Sequence, residues 1–386
     1  MLVVNAGSSS LKLTLLDEDD ATLATTELDA PRAQVDPREL RDALRCGLGE
    51  ADAIGHRIVH GGERFHEPVI IDPAVEGELR ALVELAPLHQ PKSLAALDAV
   101  SELLPGLPAV ACFDTAFHAT LPAAAATYAL PAEWRARWRL RRYGFHGLSH
   151  AWVARRAPGL LGWGDSTLRI VSCHLGAGAS LCAIGDGRSL DTTMGFTPLD
   201  GLVMATRSGS VDPGMLLWLL EHERLSVQEL NDALEHRSGL LGLSGSADMR
   251  EVTARANAHD RSVGGPAAPA RSRRPARNPV EIDRRARLAL DVYIHRLRAG
   301  IAAMVAALGG LDALVFTGGV GEHSVEVRAR AAEGLAFLGI SLDATRNQEA
   351  CADAEIGAHG ADVRALVVTA REDLEIARQV RSTLSR

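Results

Sequence analysis

The sequence is poor in cysteine and in aromatic residues. Its five cysteines, Cys46, Cys112, Cys173, Cys182 and Cys351, are odd in number and form no Cys-x-x-Cys pair. This usage does not indicate a disulfide framework, so we expect free thiols, mostly buried, in a reducing cytoplasm. Aromatic residues make up 4% of the chain, while the apolar and glycine contents are those of an α/β protein.

Long apolar runs and an excess of basic residues are also missing. No run is apolar over the roughly 20 residues that a transmembrane helix needs, and the first residues read as a strand without a basic leader. The net charge of -8 argues against a general nucleic-acid binder. We therefore expect a cytoplasmic protein with no membrane or nucleic-acid partner. A length of 386 residues exceeds one ordinary core, so two domains are expected.

Two well-known sets of nucleotide-binding motifs do not occur. The Gly-x-x-x-x-Gly-Lys-Ser/Thr pattern is absent, which excludes a P-loop enzyme. The His-Arg-Asp and Asp-Phe-Gly motifs are absent too, which excludes the protein-kinase class.

What the sequence does have is a strand, a small-residue turn and a second strand at its start. Asn5 ends the first strand, Gly7 and three serines form the turn, and Leu11 to Leu16 form the second strand. Such a turn can offer backbone N–H and hydroxyl groups to phosphate oxygens, and Lys12 adds a positive charge. An ordinary hairpin turn is the alternative.

The same pattern returns further along the chain. A strand from Leu168 to His174 precedes the turn 175–178 and a second strand, Ala179 to Ile184. A third glycine-rich turn follows the strand at 313–317 and opens a helix. The repetition predicts a duplicated α/β domain. By contrast, the segment 255–280 is rich in Gly, Pro, Ala and Arg, and we expect a flexible insertion there.

Four polar side chains lie where an active site of an open α/β sheet would be. Arg57 lies inside an apolar strand and needs an anion, while Arg207 lies in a glycine-bounded loop. Asp114 ends a strand, and His146 stands between glycines. Singly, these could be a structural ion pair, an N-cap and a loop histidine. Together they suit phosphoryl transfer, which depends mainly on neutralising charge in the transition state.

Several longer motifs follow one another in a recognisable order. They are Asn5-Ala-Gly-Ser-Ser-Ser-Leu-Lys12, His56-Arg-Ile-Val-His-Gly-Gly62, Phe113-Asp-Thr-Ala-Phe-His118, Arg142-Tyr-Gly-Phe-His-Gly147, His174-Leu-Gly, Thr206-Arg-Ser-Gly209 and Phe316-Thr-Gly-Gly-Val-Gly-Glu322. With these motifs the chain resembles the acetokinase family of the acetate and sugar kinase/actin superfamily. The resemblance implies two ribonuclease-H-like (actin-like ATPase) domains with the active site in the cleft between them, and a homodimer. We place the domains at 1–147 with about 373–386, and at 148–372.

The resemblance also implies an activity and a set of site residues. The activity is reversible, Mg²⁺-dependent transfer of the ATP γ-phosphoryl group to acetate, giving acetyl phosphate and ADP. Asn5 and Glu372 correspond to the metal site for Mg²⁺ or Mn²⁺. Asp114 takes the family's proton donor or acceptor position, and His146 and Arg207 take its transition-state-stabilising positions. Implied substrate contacts are Arg57, Val59, Leu88, His89, Phe145 and Pro198. Implied nucleotide contacts are Lys12, His174, Leu175, Gly176, Ala177, Gly178, Asp248, Met249, Arg250, Gly319, Val320, Gly321, Glu322 and His323.

Chemistry qualifies one of these roles. A small carboxylic acid has a pKa of about 4, so it is ionised at neutral pH and needs no general base. We therefore expect Asp114 to order Mg²⁺, its waters or Arg207. The alternatives to an acetate kinase are a propionate or other short-chain carboxylate kinase, and a non-catalytic ATP-binding actin-like protein.

Three residues depart from the family's usual pattern. Ala177 and His323 stand where asparagine is usual, and Ser210 stands where aspartate is usual. The first two lie in predicted nucleotide turns, so we expect altered nucleotide contacts rather than loss of catalysis.

Overall fold

A computed structural model describes residues 1–7, 10–29, 37–46, 51–85, 90–163, 168–263 and 279–386. The chain divides into two compact units. Unit 1 comprises residues 1–127, 143–155 and 370–386, and unit 2 comprises residues 128–142 and 156–369. The domain limits proposed from the sequence stay a prediction.

Strands and helices alternate through both units. The strands are β1 (Leu2–Ala6), β2 (Ser10–Leu16), β3 (Thr22–Asp29), β4 (Ile54–Ile58), β5 (Val69–Ile70), β6 (Ala109–Phe113), β7 (Arg169–Leu175), β8 (Ala179–Gly185), β9 (Arg188–Thr192), β10 (Ala313–Thr317), β11 (Ala354–Glu355) and β12 (Arg364–Val367). The helices are α1 (Pro37–Cys46), α2 (Pro73–Ala81), α3 (Gln90–Leu103), α4 (Ala123–Ala126), α5 (Ala132–Trp138), α6 (Gly147–Leu161), α7 (Pro213–His222), α8 (Val227–His236), α9 (Gly239–Ser244), α10 (Met249–Val263), α11 (Pro279–Leu308), α12 (Gly318–His323), α13 (Val325–Glu333), α14 (Ala344–Glu349) and α15 (Glu372–Leu384). Short 3₁₀ turns cover Leu82–Leu85, Ala116–His118 and Ala336–Leu338.

Unit 1 is built on a sheet with the strand order β3-β2-β1-β4-β6-β5. β1 and β2 form an antiparallel hairpin, and β4 and β6 run parallel to β1. Leu2 and Val4 of β1 join a buried cluster with α1 and α3, whereas Val3 joins a cluster with α15. Side chains alternate between the faces of a strand, and Leu2, Val3 and Val4 are all apolar because helices cover both faces of β1.

Unit 2 repeats this arrangement. Its sheet has the order β9-β8-β7-β10-β12-β11, with an antiparallel hairpin of β7 and β8 followed by the parallel strands β10 and β12. Each strand of unit 1 thus has a counterpart at the same place in unit 2. The duplicated α/β fold predicted from the two strand-turn-strand patterns is confirmed.

The segment predicted as a flexible insertion differs in part from that prediction. α10 continues to Val263 and α11 begins at Pro279. For residues 255–263 the prediction of an irregular loop is wrong, because this stretch has no glycine or proline before Gly264 and can continue a helix. The remainder, 264–278, lies outside the described residues.

Candidate active site

In unit 1, the predicted site residues lie where three neighbouring parallel strands end. The carboxyl ends of β1, β4 and β6 meet at one edge of the sheet, since these strands are adjacent and parallel. Asn5, Arg57 and Asp114 occupy those ends, and Glu372 reaches them from the first turn of α15. Strand ends of this kind are where open α/β sheets bind ligands.

Arg57 is the centre of this group. Its Nε donates to Asp114 Oδ1 at 3.0 Å and its Nη2 to Asp114 Oδ2 at 2.7 Å. Its Nη1 donates to Asn5 Oδ1 at 3.0 Å and lies 3.2 Å from Glu372 Oε2. The Asn5 amide in turn donates to Glu372 Oε2 at 2.9 Å. The anion that Arg57 requires is therefore supplied by two carboxylates of the protein, and the Asp114 carboxylate serves this pair and caps no helix.

Burial and charge oppose each other in this cluster. The side chains of Arg57 and Asp114 are only 13% and 2% exposed. Burial raises the pKa of Asp114, and the Arg57 guanidinium opposes that rise. Burial disfavours the charge of Arg57 too, but Asp114 and Glu372 hold its pKa above the ordinary value. One positive and two negative groups leave the cluster with a net charge of about -1 when both carboxyls are ionised.

The loop before α6 carries His146 to the same edge. His146 is half-buried and has a left-handed backbone with φ 56°, an uncommon conformation for a residue other than glycine. The Gly147 N–H donates to the Asp114 carbonyl at 2.9 Å, and a Cβ on Gly147 would lie 2.1 Å from that oxygen. The buried His118 holds the loop as well, with its Nε2 3.0 Å from the Phe145 carbonyl. The backbone thus joins the His146 loop to Asp114.

The predicted substrate-binding residues are divided between the two units. Val59 and Phe145 are buried in unit 1, and the His60 ring lies edge-on to Phe145 at 5.6 Å. Pro198 is buried in unit 2, while Leu88 and His89 lie outside the described residues. Lys12 is exposed on β2, opposite Asn5 in the hairpin.

Unit 2 brings its glycine-rich turns together at the equivalent edge of its sheet. β7 and β10 are parallel neighbours with His174 opposite Thr317, so the turn 174–178 lies beside α12, which carries residues 319–323. Gly318 has φ 77°, and a Cβ on it would lie 2.9 Å from the Leu175 carbonyl. Only glycine fits this close approach without strain. Ala177 and His323, which stand where the family usually has asparagine, are exposed here.

Arg207 lies on a loop next to the first of these turns. The Ala205 N–H donates to the Ala177 carbonyl at 3.1 Å, which places the loop beside the turn 174–178. The Nε of Arg207 donates to Glu235 Oε2 at 2.7 Å, near the end of α8. Glu235 was not among the predicted site residues. The signal for it is an acidic residue at the C-terminal end of a helix, where the helix dipole disfavours a carboxylate unless a cation lies nearby.

The remaining residues of the predicted nucleotide site begin α10. Asp248 accepts a hydrogen bond from the Arg250 N–H at 2.8 Å and pairs with its guanidinium. That hydrogen bonding lowers the pKa of Asp248. Met249 is buried, whereas Asp248 and Arg250 are exposed. Ser210, the third departure, donates to Asp200 Oδ1 at 2.5 Å, where an aspartate would instead face a second carboxylate.

The two sheets have the same strand order. One has charged side chains at its strand ends, and the other has glycine-rich turns there. This combination is typical of the duplicated actin-like class of phosphotransferases. The chain matches the model of the acetokinase family over residues 38–267 and 269–378. It therefore belongs to the acetokinase family, whose members are kinases that act on a carboxylate.

Individual relatives agree with this assignment. The chain is 48% identical to an acetate kinase of Nostoc punctiforme over 331 residues, covering 86% of this chain and 76% of that protein. It matches the crystal structure of Porphyromonas gingivalis acetate kinase with TM-score 0.84 and 35% identity over 99% of both chains. A propionate kinase of Francisella tularensis matches with TM-score 0.84 and 34% identity over 98% of both chains. Among the helices that the structure describes, none is long and apolar enough to cross a membrane.

Proposed function

We propose that this protein transfers the γ-phosphoryl group of ATP to acetate, reversibly, to give acetyl phosphate and ADP. The observation that carries the proposal is the family match, which spans both units and includes Arg57, Asp114, His146 and Arg207. In the reaction an acetate oxygen forms a bond to the γ-phosphorus while the bond from that phosphorus to the β-phosphate oxygen breaks. No proton is gained or lost, because the acid is already ionised at neutral pH.

The unit 1 cluster is suited to a divalent cation. Glu372 and Asn5 offer a carboxylate and an amide oxygen, the hard donors that Mg²⁺ prefers, and the cluster has a residual negative charge. Mg²⁺ is usually held by one or two carboxylates together with substrate phosphates, so this small set fits it. When bound, the ion would neutralise phosphate charge. Mn²⁺ has the same ligand preference and is an alternative.

The chain's own residues would act as follows. Asp114 holds the guanidinium of Arg57 through two contacts, and this fixes the positive charge that faces the acceptor carboxylate. His146 and Arg207 would stabilise the transferring phosphoryl group. The backbone turns 174–178 and 319–323, with Lys12 and residues 248–250, would bind ATP. Orienting Arg57 is the role that the observed contacts of Asp114 support, and the expectation that Asp114 orders Mg²⁺, its waters or Arg207 stays a prediction.

Acetate is favoured over propionate because Val59 stands at the implied methyl pocket in place of a smaller residue, and both Val59 and Phe145 are buried. One methylene changes the discrimination by about 1–3 kcal/mol, so propionate would be a poorer substrate. The likeness to a propionate kinase makes that activity the second candidate.

The test is an acyl-hydroxamate assay with ATP, Mg²⁺ and either acetate, propionate or butyrate, with Arg207→Ala as the control. We expect kcat/KM to be highest for acetate and the control to lose most of its activity. A higher kcat/KM for propionate would support the second candidate. Absence of acyl phosphate from every acid would overturn both and leave an ATP-binding protein without this transfer.

A homodimer is part of the proposal. α7 has no buried residue, and its Leu217 and Trp218 are 60% and 48% exposed; exposed apolar surface of this kind is typical of an interface. We expect Leu217→Glu to reduce the mass seen by light scattering to that of a monomer. Leu23→Glu, in β3 of unit 1 and 62% exposed, is the matched control.

A cytoplasmic location stays a prediction, which the free thiols of Cys112, Cys173 and Cys182 support.

A further inference from the structure

Arg207 lies on a loop, so its position depends on what holds that loop. Ser208 N–H donates to the Leu234 carbonyl at 3.1 Å, and Ser238 N–H donates to the Thr206 carbonyl at 2.9 Å. The Thr206 hydroxyl donates to the Glu235 carbonyl at 2.8 Å. These bonds fix the loop backbone against the C-terminal end of α8.

The Glu235 side chain extends this attachment to the guanidinium itself. Glu235 is the last residue but one of α8, and its side chain is 7% exposed, against 15% for Arg207. A buried carboxylate at the C-terminal end of a helix is disfavoured both by desolvation and by the helix dipole. The 2.7 Å contact with Arg207 Nε compensates for this cost. A residue kept at a locally unfavourable position often serves the site it contacts.

We infer that Glu235 is a positioning residue for Arg207 in the phosphoryl-transfer reaction, an inference that rests on the proposed function. A guanidinium bound through its Nε has its plane fixed, so the directions of its remaining N–H groups are set before substrate binds. Groups held ready in this way stabilise a transition state without a cost of reorganisation during the reaction.

The competing explanation is that the pair only closes the end of α8. The two explanations differ in a double-mutant cycle. If Glu235 acts through Arg207, its replacement reduces kcat in the wild-type background and has no further effect once Arg207 is alanine. If it only supports the fold, Glu235→Ala and Glu235→Gln lower the melting temperature, and the kcat of the folded protein stays unchanged in the wild-type background.

The experiment compares Glu235→Gln and Glu235→Ala, each with Arg207 present and with Arg207→Ala, using radiolabelled ATP to measure low rates. Glu235→Gln keeps the size and one acceptor of the side chain and removes only its charge. We expect kcat to fall by about 10²-fold for alanine and less for glutamine, as for a small displacement of a catalytic group. The KM values for acetate and ATP should change little. Asp232→Asn, also on α8 but in an ion pair with Arg237 that is more than half exposed, is the control and should keep wild-type kcat.

An unchanged kcat in both Glu235 variants would overturn the inference, as would a loss that persists in full in the Arg207→Ala background. If Glu235→Ala does not fold, Glu235→Gln decides the matter by the same criteria. If Arg207→Ala has no measurable rate, the decision rests on whether Glu235→Gln lowers kcat alone or lowers the melting temperature with it. A failure of the proposed function can be distinguished from a failure of this inference, because the wild-type protein would then form no acyl phosphate.

Discussion

Units 1 and 2 share one sheet topology but use the strand ends differently. In unit 1 these ends carry charged side chains, with Arg57 on a strand bonded to Asp114 and Asn5 and paired with Glu372. In unit 2 they carry glycine-rich turns, and Arg207 lies on a loop held by the end of α8. The duplicated fold thus fixes where a ligand can approach, while the residues that follow each strand decide whether side chains or backbone groups meet it.

The units also differ in the buried histidines that they hold. Within the described residues, the fully buried histidines are His56, His60, His118 and His150, all in unit 1. Neither ring nitrogen of His56 has a hydrogen-bond partner among the described residues. A dependence of stability on acid through buried histidines is therefore expected in unit 1, and the comparison can be tested there.

The largest effect is expected for Arg57→Ala. This change leaves the buried Asp114 without its partner, which costs about 3–5 kcal/mol of unfolding free energy. It also removes a positive charge on which the proposed phosphoryl transfer depends, so kcat should fall by about 10³-fold or more. Urea unfolding and the hydroxamate assay measure the two effects.

Arg80→Ala is the matched control for this change. Arg80 also contacts two carboxylates in unit 1, Glu76 and Asp98, but its side chain is 48% exposed. Exposed pairs are worth about 0–1 kcal/mol, so this variant should keep its stability and activity. Equal unfolding free energies for the two variants would contradict the claim that the buried Arg57 cluster stabilises unit 1 more than the exposed Arg80 pairs do.

The next effect is expected for Asp114→Asn. Without the carboxylate, Arg57 loses its firm orientation, and kcat should fall by about 10²-fold. Because acetate is already ionised, raising the pH from about 6 to about 9 should not restore the rate. Asp312→Asn, which alters a similar two-contact pair with Arg169 in unit 2, should leave kcat unchanged. Recovery of the Asp114→Asn rate with pH alone would indicate proton transfer by Asp114 instead.

A smaller effect is expected in the dependence of the unfolding free energy on pH. Burial lowers the pKa of His56 and His60 to about 4 from the ordinary 6.5. Between these values the unfolded chain binds protons that the folded chain does not, so the free energy of unfolding falls as the pH drops from about 6.5 to about 4. Each histidine contributes up to about 3 kcal/mol to that fall. His56→Leu should flatten the dependence, measured by urea unfolding across this range. The exposed His323→Gln should not, and an unchanged slope in His56→Leu would contradict this origin.

Local features of the fold could be predicted from the sequence. Asp72 accepts from the Val75 N–H and begins α2, and Ser226 with Glu229 forms a capping box at α8. Both caps depend on residues within three positions of each other, so the sequence shows them directly. Each strand-turn-strand pattern is also local in the sequence, and its repetition predicted the duplicated α/β fold.

The partners of the site residues could not be predicted in this way. That Arg57 needs an anion follows from its place in an apolar strand, but Asp114 and Glu372 are far away in sequence and only the folded sheet brings them to it. Glu235 was missed because its contact with Arg207 depends on where α8 ends. The helical residues 255–263 were missed because the composition of the longer segment hid a stretch that can continue α10.

The smallest effect is expected in unit 2, at the two turn residues that depart from the family pattern. Ala177 and His323 are exposed on the turns 174–178 and 319–323. Replacing each by asparagine adds one amide that can hydrogen-bond a nucleotide, worth about 0.5–1.5 kcal/mol. The KM for ATP should therefore fall by about 2–10-fold with little change in kcat, and the KM for acetate is the internal control. Kinetics with ATP and GTP would measure the change and any shift in nucleotide preference. If either variant instead lost kcat as severely as Arg57→Ala, the turns would take part in the chemical step. The proposed division between a catalytic side-chain cluster in unit 1 and nucleotide-binding turns in unit 2 would then be wrong.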